Sequence, residues 1–167
     1  MIERRHIDEL EMRPGLADFR KHLRITSTDL DADLRSKLLA GLESAEHEIS
    51  TVIAPSEFTL TGPFSPTIPL RWPVTSVTSV AVDGVPITSY TFGESSLSFS
   101  EGVSGARVEV KYKAGLPDVP EDIRNAILLL AGYLFNNITD RPEERDRTAA
   151  RNMLRPYRRW EGEGDGR

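Results

Sequence analysis

Apolar residues recur at helical spacing in four segments of the chain. The longest stripe has intervals of three or four residues and consists of Leu30, Leu34, Leu38, Leu42, Ala45, Ile49 and Val52. This spacing places apolar side chains on one face of an α-helix. Similar patterns predict helices over 16–24, 29–53, 120–138 and 143–154. Pro55 follows the second segment and Pro120 opens the third, as expected for residues that end and begin helices.

Between residues 57 and 114 the period changes from that of a helix to that of a strand. Val108, Val110 and Tyr112 alternate with charged residues over 107–113, which is typical of a strand with one buried face. Asp83-Gly84 fits the two-residue turn of a hairpin. This stretch therefore predicts a small antiparallel β-sheet built from hairpins.

These patterns together predict an α+β fold. We expect a helical bundle core of two long helices plus shorter N- and C-terminal helices, with the small antiparallel sheet inserted between them. The predicted boundaries are a leader over 1–15, one domain over 16–160 and a flexible acidic tail over 161–167. The tail is Gly-rich and acidic, so it has too little apolar surface to fold alone.

Composition narrows the class of protein. The chain has 167 residues, 38% of them hydrophobic and 28% charged, with a formal net charge of -5. These values predict one soluble domain. Cysteine is absent, which excludes disulfides, thiolate metal sites and a cysteine nucleophile. The sequence has no apolar run of membrane-spanning length and its charged first residues do not resemble a signal peptide, so we expect a cytosolic protein without a membrane partner.

Catalytic and metal-binding templates do not fit the sequence. His47-Glu48 begins a zincin-like pair, but Thr51 stands where the second histidine ligand is needed. The acidic run over 29–33 lacks the glycine and the distal glutamate of a calcium loop. Phosphate-binding glycine loops and a nucleophile elbow are also absent. The sequence predicts no catalytic residue, no cofactor and no metal.

Opposite charges concentrate in two segments. Residues 29–48 carry six acidic and two basic residues, whereas residues 140–160 carry seven arginines and four acidic residues. Such a pair suits head-to-tail packing between copies of one chain. Two other interpretations are that each segment is a solvated face, or that the arginines contact nucleic-acid phosphates with Tyr157 and Trp160 between them.

The order of these features resembles that of the head–tail connector (adaptor) proteins of long-tailed bacteriophages and prophages. The similarity covers about residues 16–160. The matching segments, in chain order, are a leader helix over 16–25, the helix over 30–53, LRWPVTSVTSV at 70–80, VEVKYKAG at 108–115, VPEDIRNAI at 119–127 and LRPYR at 154–158. They are specific as a series rather than singly.

This resemblance implies a structural virion protein that joins the DNA-filled head to the tail-completion proteins. The implied partners are the portal protein, a stopper or tail-completion protein, and about a dozen copies of the chain itself in a ring. Double-stranded DNA passes through that ring without sequence-specific binding. The protein would reside in the virion neck after assembly in the host cytoplasm.

The resemblance also suggests roles for two sets of residues. Glu43 and Glu46 are expected to face the DNA channel, where negative charge repels phosphate. The C-terminal segment is expected to dock on the portal through Arg155, Tyr157, Arg158, Arg159 and Trp160.

Two alternatives remain open at the sequence level. One is another phage neck component, such as a stopper or a tail-terminator, which shares size and composition with connectors. The other is a small regulatory or hydrolase domain unrelated to phages.

Overall fold

The computed structural model describes residues 1–136 and 144–159. The chain divides into two compact units. One, here called the β unit, comprises Met1–Glu9 and Ala54–Pro117. The other, the helical unit, comprises Leu10–Ile53 and the described residues from Asp118 onward. Each unit therefore takes its residues from two separate parts of the sequence.

The β unit contains eight strands in two antiparallel sheets. In chain order the strands are β1 (Ile2–Ile7), β2 (Ser56–Pro63), β3 (Thr67–Pro69), β4 (Val74–Val82), β5 (Val85–Pro86), β6 (Tyr90–Phe92), β7 (Ser96–Phe99) and β8 (Arg107–Ala114). The larger sheet has the order β1-β2-β8-β4-β5, and the smaller has the order β3-β7-β6. Strand β8 lies at the centre of the larger sheet, paired with β2 and β4.

Alternation along β8 determines which side of the larger sheet is its core. Val108, Val110, Tyr112 and Ala114 are buried, and the charged residues between them are exposed. The ring of Phe58 on β2 stacks on that of Tyr112 with their centroids 5.1 Å apart. Period-two alternation thus buries one face of the strand and leaves the other in water.

Residues 2–7, which the sequence analysis assigned to a leader, form β1. This strand pairs with β2 in a register that runs from Ile2 opposite Thr61 to Ile7 opposite Ser56. The strand carries Glu3, Arg4, Arg5 and His6 in succession, so it lacks the apolar alternation that marked the other strands. Its place in the sheet depends on backbone hydrogen bonds to a partner strand whose paired residues lie 49 to 59 positions away.

The helical unit contains four α-helices and a short 3₁₀ turn among its described residues. They are α1 (Leu16–Leu23), α2 (Asp31–Ile49), α3 (Glu121–Asn136), α4 (Glu144–Leu154) and the turn Arg155–Tyr157. Helices α2 and α3 approach each other closely at Gly41, where an added Cβ would lie 2.8 Å from the backbone nitrogen of Ala131. A glycine at this position lets the two backbones pack directly together.

The predicted helical bundle core with two long helices and a small inserted sheet is wrong. Helix α2 has 19 residues rather than the 25 expected, and the strands form two sheets with a buried apolar interior of their own. Helix α2 ends early because Ser50 adopts the left-handed conformation with φ of 53° and its N–H donates to the carbonyl of Glu46. Apolar periodicity continues past this point in the sequence, so it did not reveal the stop.

Candidate functional site

The C-terminal end of the described chain presents several of the residues predicted to dock on the portal. Leu154 at the end of α4 is fully buried and anchors the 3₁₀ turn that follows. Arg155 and Arg158 are exposed, and Tyr157 is half-buried. The structure therefore brings these three side chains together on one short anchored segment.

Arg159 follows the turn and contacts α2. Its backbone N–H donates to the carbonyl oxygen of Ile49 at 3.1 Å. This bond satisfies a carbonyl at the C-terminal end of α2, where helices leave such groups without intrahelical partners. Trp160, the last residue of the predicted docking set, lies outside the described residues.

The two acidic residues predicted to face a channel have different environments. Glu43 is exposed on α2. Glu46 is half-buried, and its Oε1 accepts a hydrogen bond from the backbone N–H of Ile53 at 2.8 Å. Glu46 therefore stabilises the chain that leaves α2, whereas Glu43 has its carboxylate in solvent.

A groove lies among α2, α3 and α4 of the helical unit. It has a volume of about 300 Å³, and its lining includes His47, Leu130, Tyr133, Leu134, Arg151 and Leu154. Glu48 also contributes to it and lies 3.6 Å from Arg151, measured from carboxylate oxygen to guanidinium nitrogen. The groove combines an apolar interior with charged side chains at its margin. Sequence reasoning missed it, because its walls come from three helices whose packing no local pattern specifies.

A second missed feature is a polar cluster in the β unit. The hydroxyl of Tyr112 donates to Oε1 of Glu3 at 2.9 Å and accepts a bond from the backbone N–H of Arg71 at 3.2 Å. The guanidinium of Arg71 bonds the other oxygen of Glu3 at 3.0 Å. Burial, reinforced by the carboxylate of Glu3, raises the pKa of the Tyr112 hydroxyl. The hydroxyl therefore stays protonated and holds β1 in place.

The hairpin turn at Asp83-Gly84 is held by a similar use of a carboxylate. Asp83 accepts hydrogen bonds from the backbone N–H groups of Ala106 and Arg107. These two bonds lower the pKa of the Asp83 carboxyl. Like the cluster at Tyr112, this arrangement connects segments of one sheet and has the character of a structural contact.

The described part of the chain has neither a metal-binding cluster nor a membrane-spanning helix. Over residues 1–136 and 148–159, whose side chains the structure describes, no group of three or more His, Asp or Glu side chains is arranged to hold a metal ion. Across the same residues, no helix is long and apolar enough to span a bilayer.

Comparison with solved structures gives the chain a known fold. It is 21% identical to a chain in the neck of an empty gene transfer agent (GTA) particle computed with C6 symmetry, with a TM-score of 0.74, and the match covers 97% of this chain and 98% of that one. The chain has the fold of this neck protein. A chain from the neck of the native particle computed with C12 symmetry gives 19% identity and a TM-score of 0.73 with the same coverage.

A chain from the virion of the native particle is similar to the same extent. It is 21% identical with a TM-score of 0.71, again over 97% of this chain and 98% of that chain. No protein-family model matches the sequence, and no curated protein matches it either. The similarity is therefore one of fold, and it extends over both units.

Proposed function

We propose that this chain is a structural component of the neck of a phage-like particle. Within that neck, we assign it the role of a ring-forming head–tail connector, or adaptor, which docks on the portal and joins the head to the tail-completion proteins. The observation that carries the proposal is the shared fold, which covers 97% of this chain and 98% of chains from GTA necks. Those necks were computed with C6 and C12 symmetry, which suits a role in a ring.

Surface charge in the helical unit supports ring formation. A closed ring of identical subunits uses a head-to-tail interface, in which two different surfaces of one chain meet. Residues 148–159 contain four arginines and no acidic residue, and exposed carboxylates such as Glu43 lie on α2. Opposite charges on separate segments favour contact between neighbouring copies and disfavour contact between like surfaces.

The geometry of the C-terminal segment supports docking on the portal. Arg155 and Arg158 are exposed on a turn that Leu154 fixes to the helical unit. Arginine and tyrosine are enriched among residues that dominate binding at protein interfaces. In our proposal Arg155, Tyr157 and Arg158 make the portal contact, and Arg159 positions the segment through its bond to Ile49.

In our proposal Glu43 faces the DNA channel, whereas Glu46 stabilises the end of α2. A carboxylate that lines a channel repels the phosphates of passing DNA and reduces adhesion. Glu43 is exposed and meets this requirement. The chain needs no catalytic group in this role, since it works by shape and charge.

The direct test is capture of the chain by an immobilised portal ring. We expect the double variant Arg155→Glu/Arg158→Glu to lose capture, because two exposed positive charges are reversed. The matched control reverses two exposed arginines of the β unit in Arg4→Glu/Arg107→Glu and should be captured like the wild type. Point variants are preferable to truncation before Arg155, since truncation also removes the bond from Arg159 to Ile49.

Undiminished capture of the Arg155→Glu/Arg158→Glu variant would remove the docking role from this segment. A stopper differs from a connector in the partner it needs. If the wild-type chain binds only a portal that already carries another ring protein, the stopper assignment replaces the connector assignment.

A further inference from the structure

Leu10 is the most exposed large apolar residue in the described part of the chain, with 89% of its surface accessible. The turn that carries it is well anchored. One guanidinium nitrogen of Arg13 donates to the carbonyl oxygens of Leu10 and Met12 at 3.1 and 2.9 Å, and Met12 is only 3% exposed. The turn therefore presents an aliphatic side chain to solvent in a defined position.

The same helical unit contains a groove that a leucine side chain suits. Tyr133 and Leu134 are half-buried and supply accessible apolar surface, Leu130 and Leu154 lie buried among its walls, and its volume is about 300 Å³. Binding pockets of this size are at the lower end of those that take small ligands, and their apolar lining favours an aliphatic occupant. Leu10 of the same chain does not fill this groove, because it is 89% exposed.

The charges around these two features are opposite. Asp8, Glu9 and Glu11 flank Leu10 in the sequence. Arg151 stands at the margin of the groove with its side chain 55% exposed and lies 3.6 Å from the carboxylate of Glu48. The segment 148–159 carries four arginines and no acidic residue, so positive charge still exceeds negative charge there. Complementary charge favours an approach of the Leu10 turn to this margin and opposes the pairing of two like surfaces.

We infer that Leu10 of one copy inserts into the groove of the next copy, with the acidic residues around it facing Arg151. This contact rests on the proposed ring. The Leu10 turn and the groove would be the two surfaces that meet between neighbouring copies. Leu10 and the groove are different parts of one chain, so a contact between them made head-to-tail repeats from copy to copy until the ring closes. Burial of an exposed leucine gives the contact an apolar centre with a charged rim.

The natural chain has no cysteine, so engineered thiols report this contact without background. Leu10→Cys and Ser44→Cys each alter an exposed position, and Ser44 belongs to the groove. The full chain is assembled on its portal and treated with a short bis-maleimide. We expect a mixture of the two single variants to give a covalent dimer, and the double variant to give a ladder of dimers, trimers and larger species.

The control pair combines Val85→Cys with Ser44→Cys. Val85 is 60% exposed and apolar but lies in the β unit, so this pair should give no ladder. A second measurement uses Leu10→Asp, which should lower the yield of rings at least tenfold by mass photometry, whereas Val85→Asp leaves the yield unchanged.

The possible results distinguish failure of this contact from failure of the proposed function. Rings that form normally without the Leu10–Ser44 cross-link overturn the contact and leave the neck assignment standing. A cross-link within one copy, in which both thiols react but the product keeps the mass of a monomer, also overturns the contact. Absence of rings under every condition refutes the proposed function and this contact together.

Discussion

The two units differ in where the backbone hydrogen bonds of their elements are made, since a helix makes them within one segment whereas a strand needs a partner strand. In the β unit, Tyr112 bonds Glu3 across 109 positions, and Arg5 bonds Ser56 across 51. In the helical unit, α2 forms within one segment, and Glu46 accepts a hydrogen bond from the nearby N–H of Ile53. The packing of α2 on α3 at Gly41 and its bond from Arg159 nevertheless also join residues far apart in the sequence. Helices and strands both leave a periodic trace of their buried face in the sequence, but the distant residues that cover that face leave none. Substitutions at the contacts on which each unit depends test this difference.

Leu154→Ala should have the largest effect, since this fully buried side chain fixes the C-terminal segment to the helical unit. Loss of the side chain leaves a cavity, and such changes cost about 2–5 kcal/mol of unfolding free energy. Urea unfolding followed by circular dichroism measures this cost. Asn152→Ala, at an exposed position in the same helix, should remain within about 0.5 kcal/mol of the wild type; equal losses in both variants would contradict the anchoring role.

Gly41→Ala should destabilise the helical unit although alanine favours helices. The added Cβ would lie 2.8 Å from the backbone nitrogen and 3.0 Å from the Cβ of Ala131, so α2 and α3 must separate at a cost of about 1–3 kcal/mol. Gly132→Ala is the matched control, because its Cβ would meet only Leu23 and His22 at 3.8 Å or more. The control should gain about 0.5–1 kcal/mol. Thermal unfolding of both variants shows whether their stability changes have opposite signs.

Tyr112→Phe tests the long-range cluster of the β unit. It removes the hydroxyl that bonds both Glu3 and Arg71, so the unfolding free energy at pH 7 should fall by about 1–2 kcal/mol. Because burial raises the pKa of this hydroxyl, its contribution is present below pH 10 and is lost as the pH rises through the folded-state pKa. The difference between variant and wild type should therefore shrink in strongly alkaline buffer.

The control for that experiment is Tyr90→Phe. Tyr90 is half-buried, and no hydrogen bond of its hydroxyl occurs within the described residues. This variant should match the wild type within about 0.5 kcal/mol. A pH-independent loss in Tyr112→Phe would show that packing, rather than the hydroxyl, accounts for its effect.

Asp83→Asn should have the smallest effect on stability at pH 7, and it should make stability less sensitive to acid. Hydrogen bonds from Ala106 and Arg107 lower the pKa of Asp83, so its contribution is present above the ordinary value of 3.8 and is lost as the pH falls. Asparagine keeps the turn conformation but does not titrate. The melting temperature of the variant should thus change less between pH 7 and pH 3 than that of the wild type, while Asp118→Asn should retain the full acid sensitivity.

The contrast between the units also explains which elements sequence patterns reveal. Val108, Val110 and Tyr112 alternate with charged residues because one face of β8 is buried and the other is solvated. Strand β1 has no such alternation, since it lies at the edge of the sheet and carries four consecutive charged or polar residues. Edge strands commonly carry charge, which discourages pairing between molecules. A charged edge strand therefore resembles a leader in sequence.

The candidate sites also have properties that the sequence reveals and properties that it does not. The arginines at 155, 158 and 159 and the carboxylates at 43 and 46 are visible as charge in the sequence. Their environments are not visible there, since Glu46 is engaged by Ile53 and Arg159 by Ile49. The groove among α2, α3 and α4 has no sequence signature at all. Its existence depends on how closely three helices pack.

Three properties follow from the sequence: where apolar residues repeat, which segments carry positive or negative charge, and the absence of cysteine. Tertiary structure alone decided that residues 2–7 pair with 56–61, that α2 stops at Ile49, and that a groove opens beside Arg151. The physical reason is the range of the interactions. Periodicity records which face of a segment is buried, but a strand partner and a cavity each depend on residues distant in the sequence, and the stop of α2 depends on the backbone conformation of Ser50.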